Sequence, residues 1–496
     1  MAENNIITTD LFGRRTIYSS VDQITEENVI AEVNSALVIH IQNMCEEERL
    51  YWYRRGIQPV LSREKERNSF INNKAVINHA EEIVSFKNGY FMTQPANYVA
   101  RNDDAKEKVD ELNEYLYRSG KHDADNATID WFHTVGLGYI YVAPSEDGDN
   151  EVPFKAYALR PQSTFVAYSM KPGNAPVYAV NTVTVNDKIY VDVWTKEKVF
   201  RLDGTYKGRL ATPDPDAIAT AINILKVEPN IIGEIPIIEY RYNSTNMASF
   251  EPVVGLLDEL NNVLSNRIDG VEQFIQSLLV LTNCEINDED ADSIKTKGML
   301  MLRSTAELQA KVELLSEELD QTQTQTLVED IFRRILSICG MPSQATDRAT
   351  YDTTGAAVMA NFGWYQADAF ARNTEDLFKA SNRQFDKVIL KILSQKGLLD
   401  IGINDFELQL VRNETANVQS KAQAFQTLLA SGLHPILAAQ KSGVSNDPVS
   451  DIAMSEKYLK LIWGDPDAPK PDPAEGESTI IEEDNDNGED ASEGAV

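Results

Sequence analysis

The stretch EPVVGLLDELNNVLSNRIDGVEQFIQSL, residues 251–278, decides the architecture. Glu251-Pro252 opens it, and proline suits the first turn of a helix. Val253, Leu257, Leu260, Leu264, Arg267, Val271, Phe274 and Leu278 then recur in alternating steps of four and three, an a/d seam broken once by Arg267. The pattern predicts a rod roughly 39 Å long at about 1.5 Å per residue. A rod with one apolar face needs neighbours, so it suits a bundle or the wall of a barrel. Arg267 inside that seam either snorkels to solvent or meets a partner.

Downstream, Leu279-Val280-Leu281, a polar segment from Asn287 to Gly298 and the run Met299-Leu300-Met301-Leu302 predict a strand, helix and strand excursion. A second helix is expected from about Ser316 to Cys339, closed by Gly340-Met341-Pro342. Residues 343–355 are small, polar and bounded by Gly355, which predicts a loop between long helices. A third long helix follows from about Ala356 to Ser394. Shorter helices are expected over Thr415–Leu429, Pro435–Lys441 and Asp447–Ile462. From 464 to 496, twelve acidic residues stand against Lys470 alone, the composition of an unfolded tail.

Upstream, Ile24–Cys45 and Ala75–Tyr90 carry apolar residues at helical spacing, with Asn72 or Asn73 available to cap the second. Between them Arg54, Arg55, Arg63, Lys65, Arg67 and Lys74 form a basic island, readable as a solvated loop or as a contact to a neighbouring subunit or DNA. From Trp131 to about Tyr242 the period changes to two, as in Ile189-Tyr190-Val191-Asp192-Val193-Trp194, with turns at 145–150 and at Lys171-Pro172-Gly173-Asn174. This predicts a small antiparallel β unit, and the chain as a whole reads as α+β, mainly helical.

Composition narrows the chemistry. The 496 residues carry 46 basic and 77 acidic side chains, a net charge of −31, so any nucleic-acid contact must be weak or local. Three cysteines far apart, Cys45, Cys284 and Cys339, offer neither a disulfide framework nor a CxxC metal site, and a reducing compartment is expected. The N-terminus lacks the order of a signal peptide, and no apolar run approaches the length of a membrane span. There is no GxxxxGK[ST]; Gly204-Thr205-Tyr206-Lys207-Gly208-Arg209 has the wrong spacing. The histidines His40, His79, His122, His133 and His434 never fall in ligand spacing, so no metal is expected. Gly136-Leu137-Gly138 is half of a dinucleotide fingerprint and leads into a strand. Asp147, Asp149 and Glu151 lack the register of an EF-hand. No active site and no cofactor are expected.

The order of elements carries more than any motif. Asn73-Lys74-Ala75-Val76-Ile77-Asn78-His79-Ala80-Glu81-Glu82-Ile83-Val84 with Gly89-Tyr90 comes first, then Asp130-Trp131-Phe132-His133-Thr134-Val135-Gly136-Leu137-Gly138-Tyr139. Pro161-Gln162-Ser163-Thr164-Phe165-Val166-Ala167-Tyr168-Ser169 follows, and Gly233-Glu234-Ile235-Pro236-Ile237-Ile238-Glu239-Tyr240 leads into the rod. Over roughly residues 70–395 this resembles the portal proteins of tailed bacteriophages, of the type in long-tailed phages of Gram-positive hosts. The resemblance implies a ring of about twelve copies at one capsid vertex, assembled in the host cytoplasm, through which terminase drives double-stranded DNA. It implies wing (1–250), first stem helix (251–278), clip (279–312), second stem helix (313–340), tunnel loop (341–355), long wing helix with its following segment (356–414), crown (415–463) and acidic tail (464–496). On that scheme Leu257, Leu260, Leu264, Arg267, Val271 and Phe274 pack the stem. Lys295, Lys297 and Arg303 of the clip dock terminase or a head–tail adaptor, and capsid or scaffolding protein is a further partner. Gln344, Asp347, Arg348, Tyr351 and Asp352 of the loop face DNA without reading bases, or merely connect two helices. A cytosolic enzyme of unrecognised motif and a helical scaffold that never closes a ring are the competing readings.

Overall fold

The computed structural model describes residues 13–65, 71–92, 94–145, 151–186, 188–205, 220–275, 278–282, 311–315, 321–342, 363–410, 418–445, 451–452 and 454–455. The chain divides into a unit spanning 1–420 and a second from Lys421 onward.

In the first unit the order begins with strand β1 (Ile17–Ser19) and helix α1 (Val29–Arg54). Helix α2 (His79–Phe91), strand β2 (Asn97–Ala100), and helices α3 (Lys106–Arg118) and α4 (Lys121–Val135) follow. Seven strands come next: β3 (Leu137–Pro144), β4 (Phe154–Leu159), β5 (Thr164–Ser169), β6 (Pro176–Val185), β7 (Lys188–Trp194), β8 (Lys198–Thr205) and β9 (Thr220–Pro229). After β10 (Ile237–Arg241) come α5 (Val254–Ile275), β11 (Leu278–Thr282), β12 (Lys311–Leu315), α6 (Gln321–Cys339), α7 (Trp364–Gln395) and β13 (Phe406–Gln409). The α+β expectation holds, and so do the three long helices in the second half.

The β region is larger than a small antiparallel unit, and it is two sheets. One has six strands in the order β1-β5-β6-β7-β8-β9, and the other has three in the order β10-β3-β4. The first is not wholly antiparallel, because β1 joins β5 in parallel, Ile17 opposite Ala167. Trp131, the expected start of the β region, lies in α4; strand structure begins at Leu137. The change of period happens at Gly136. Its φ of +95° suits glycine, and a Cβ there would lie 2.1 Å from the Asn246 carbonyl oxygen, so no side chain fits this corner.

Helix α1 ties two cores together. Val29, Val33, Ala36 and Leu37 pack against the inner face of the six-stranded sheet, on Phe165, Tyr178, Val191 and Phe200. Its other end sends Leu50 and Tyr53 into a separate cluster with α2, α5 and α6. A third core lies between α3, α4, the three-stranded sheet and α7, where Phe132, Phe154, Tyr240, Phe378 and Phe385 are fully buried. Polar groups close that core. Lys121 pairs with Asp125 and lies 4.5 Å from the Phe385 ring centre, while Asp386, pushed up to about 7 by burial, accepts from Tyr98 and from Asn382. The helix expected over Ala75–Tyr90 begins at His79. Asn78, not Asn72 or Asn73, supplies the cap by accepting from the Glu81 N–H.

In the second unit, helix α8 (Val418–Ala430) crosses the boundary and α9 (Pro435–Ser442) follows, with the His434 ring accepting from the Ile436 N–H. These match two of the three expected short helices. Of the third, residues 451, 452, 454 and 455 are helical and the rest lies outside the described residues.

Candidate functional site: a braced pair of long helices

The rod is fixed at its origin by a buried ion pair. Pro252 sits in a short 3-10 turn, Glu251–Val253, that leads into α5. The Glu251 carboxylate accepts from Arg14 Nη2 at 2.6 Å, from the Gly13 N–H at 3.1 Å and from the Ala248 N–H at 2.8 Å. Arg14 also pairs with Glu46 of α1 at 3.1 Å and donates to the Val135 carbonyl that ends α4. One guanidinium therefore joins α1, α4 and the start of α5, out of contact with solvent. The neighbouring Glu47 carboxyl is pushed up to about 8 by burial, against the pull of Arg14.

The apolar seam is covered along only part of its length. Val253, Leu257 and Leu260 are buried against Ile335, Leu336, Cys339 and Met341 of α6 and the turn that follows it, and Leu264 is half-buried on the same cluster. Farther along, Ile268 and Val271 are each 44% exposed. Phe274 lies on the last turn of the helix. Arg267, the break in the heptad, donates to Gln325 Oε1 of α6 at 2.7 Å. It joins the two helices where their apolar contact runs out.

The opposite face of α5 holds a second periodic set that the apolar reading missed. Asp258, Asn261, Ser265, Asp269 and Glu272 repeat in steps of three and four; the first meets Tyr53 of α1, and the other four bind a strap whose described residues are 58–65 and 71–77. Asp258 accepts from the Tyr53 hydroxyl at 2.8 Å. Asn261 accepts from the Ile77 N–H at 2.9 Å and donates to Gln58; Ser265 Oγ accepts from the Ala75 N–H at 3.0 Å. Asp269 accepts from the Asn73 N–H at 2.7 Å and pairs with Lys65 and Arg63, while Glu272 accepts from Asn73 Nδ2 at 2.7 Å. Burial alone would raise the Asp269 carboxyl, but the bonds from Lys65 and Asn73 prevail and hold it below the usual carboxylate range. Alternate N–H groups of a segment with no regular partner strand are thus satisfied by helix side chains, as buried backbone donors must be.

This accounts for most of the basic island. Arg54 pairs with Glu81 and Asp130 at 2.7 Å each, Arg63 and Lys65 bind Asp269, and Lys74 donates to the Leu61 carbonyl. Arg55 lies over the rings of Tyr51 and Trp52. Arg67 lies outside the described residues. The described cations of the island thus have partners within this chain, and Arg55 and Lys74 remain exposed.

At the far end of the pair, β11 and β12 form an antiparallel ladder with Leu278 opposite Leu315 and Thr282 opposite Lys311. The expected clip lies between and around these strands, and Lys295, Lys297 and Arg303 fall outside the described residues. At the near end, α6 stops at Gly340, whose φ of +63° and closeness to the Phe370 ring of α7 exclude a side chain. Helix α7 starts after Gly363, and a Cβ there would lie 3.7 Å from the Met341 carbonyl oxygen. The chain thus leaves at Pro342 and re-enters at Gly363 at one place. Gln344, Asp347, Arg348, Tyr351 and Asp352 lie on that excursion, outside the described residues.

A cavity of about 440 Å³ lies beside α1, lined by Tyr51, Trp52 and Trp131 with His40 among its walls. His40 is held near 4 by burial and its Nε2 meets the backbone carbonyl of Gln162, a structural bond. Among the described residues no group of three or more His, Cys, Asp or Glu side chains is placed to hold a metal, and no helix is long and apolar enough to cross a membrane.

No individually curated protein matches the chain. Among solved structures it is similar to a chain from the neck of an empty GTA particle computed with C6 symmetry, at 13% identity and a TM-score of 0.43, covering 74% of this chain and 90% of that one. The family model described as phage portal protein, SPP1 Gp6-like, matches residues 39–452. That span runs from within α1 through β2 to β10, the braced helix pair and α7, and the chain belongs to the SPP1 Gp6-like family of phage portal proteins.

Proposed function

We propose that this chain is the portal subunit of a tailed phage, closing into a ring of about twelve copies at one capsid vertex. The ring is a passive conduit for double-stranded DNA during packaging and ejection. It docks terminase on one occasion and head–tail adaptors on another, in a long-tailed phage of a Gram-positive host. The observation that carries this reading is the family match across the elements that build the rod pair. The half-covered seam supports it, since Ile268 and Val271 on α5 and Leu327 on α6 leave apolar surface for a neighbouring copy.

Within that assembly residues 251–278 and 313–340, which hold α5 and α6, are the stem, residues 279–312 the clip, and residues 341–355 the tunnel loop. The excursion's Asp347 and Asp352 limit adhesion of phosphates while Arg348, Tyr351 and Gln344 make brief backbone contacts. Lys295, Lys297 and Arg303 meet terminase or adaptor. The chain has no catalytic role of its own, and ATP turnover belongs to the terminase. Negative-stain microscopy of the purified full-length protein over a range of salt tests the proposal. Closed rings are expected. A monodisperse monomer under every condition overturns it.

A further inference from the structure

The C-terminal half of helix α7 carries a row of cations of which only the first, Lys379, has a carboxylate partner among the described residues. Lys379, Arg383, Lys387 and Lys391 follow one another at steps of four, which places them about 6 Å apart along the helix axis. From Lys379 to Lys396 the helix has a single acid, Asp386, and that side chain is turned into the core. In a chain of net charge −31 such a run is unusual. Other cations of the described surface do meet acids. Arg372 pairs with Asp368, Lys379 with Glu375, Lys171 with Asp22 and Lys226 with Glu228.

Arg383, Lys387 and Lys391 are exposed and have no ion pair among the described residues. Lys391 reaches only the Gly233 carbonyl, at 3.3 Å, and the adjacent Glu234 is engaged by Lys196. The other exposed positions on this stretch are Ala380, Ser394 and Gln395. They supply neither the aromatic nor the large aliphatic anchors that a protein–protein interface core requires. A linear array of cations with small polar neighbours is instead suited to a phosphate backbone, which needs charge at intervals and no pockets.

We propose that the outer face of α7 from Arg383 to Lys391 is a sequence-independent contact for the phosphate backbone of double-stranded DNA. The identity of the polyanion rests on the portal reading; the existence of the site does not. Because the contact involves charge alone, it holds DNA loosely at physiological salt and releases it as salt rises.

The test is retention of random-sequence duplex DNA by the full-length protein at 50 and 200 mM salt. It compares the native chain, the triple variant R383Q/K387Q/K391Q, the double variant R383Q/K387Q, which leaves the Lys391 bond in place, and the control K171Q/K226Q, whose cations are already paired. Three phosphate contacts contribute a slope of about −2.7 in log affinity against log salt, so the native chain should lose roughly 40-fold through this site between the two conditions. The triple variant should lose that component, the double variant about two-thirds of its slope, and the control nothing. Equal affinity and slope in the native chain and triple variant overturn the proposal. So does competition by polyglutamate as effective as by DNA at equal charge, which would make the stripe an acidic-protein contact. Micrographs of the same samples report rings separately, so a failure of assembly and a failure of the stripe are read from different measurements.

Discussion

The half of α5 near Glu251 and the half near Ile275 share one helix but not one environment. On the near half the apolar face is buried by α6 and the polar face is bound by the strap, so the chain itself covers both sides. On the far half the polar face remains strapped through Asp269 and Glu272, while Ile268 and Val271 on the apolar face stay largely open. The difference teaches that the strap holds the rod in place independently of whatever covers its seam. A helix left to find its own apolar cover would be marginal in water, whereas this one is presented ready-made.

The sharpest way to break that contrast is at the origin. Arg14→Ala leaves the buried Glu251 carboxylate without its cation, while Glu46 keeps Arg15 at 3.5 Å, and loss of one partner of a buried pair should cost about 3–5 kcal/mol. Urea unfolding of the full chain checks it. A cost under 1 kcal/mol would mean that the near half is not anchored there. An intermediate effect is expected in the strap. Asn261→Ala orphans the Ile77 N–H and Gln58 Oε1, at about 1–3 kcal/mol. Hydrogen exchange at Ala75 and Ile77 should accelerate, with limited proteolysis appearing between 58 and 77. Unchanged exchange would show that the strap is held by other means. The smallest effect on the single chain is expected on the open face. The pair Ile268→Ser and Val271→Ser should change unfolding by no more than about 0.5 kcal/mol each, as exposed positions do. If another copy covers this face, the same pair should shift the assembled ring toward subunits on dilution, measured by light scattering. Rings as persistent as the native ones would place the neighbour elsewhere.

The apolar half of this design was legible in the sequence because a/d spacing is local: each residue of the seam predicts the next. The polar stripe Asp258, Asn261, Ser265, Asp269 and Glu272 is just as regular, yet polar residues on a helix ordinarily mean solvent, and nothing within 28 residues hints at a strap lying some 190 positions upstream. The basic island was opaque for the same reason, since Arg63 and Lys65 find Asp269 only in the folded chain. Strand β1 is three residues long, too short to show a period, and its parallel pairing with β5 spans about 150 positions. What the excursions beyond β11 and Pro342 carry was read from residue type alone.

The meeting of Gly340 and Gly363 has a consequence for variation in the family. Since both ends of the intervening stretch are pinned at the same point by the contact with Phe370 and the Met341 carbonyl, the separation it must span does not change with its length. Doubling such a loop costs only about 0.6 kcal/mol in closure entropy. An insertion between 342 and 363 should therefore leave the packing of α6 and α7 unchanged. The length of that stretch is thereby decoupled from the frame that carries it.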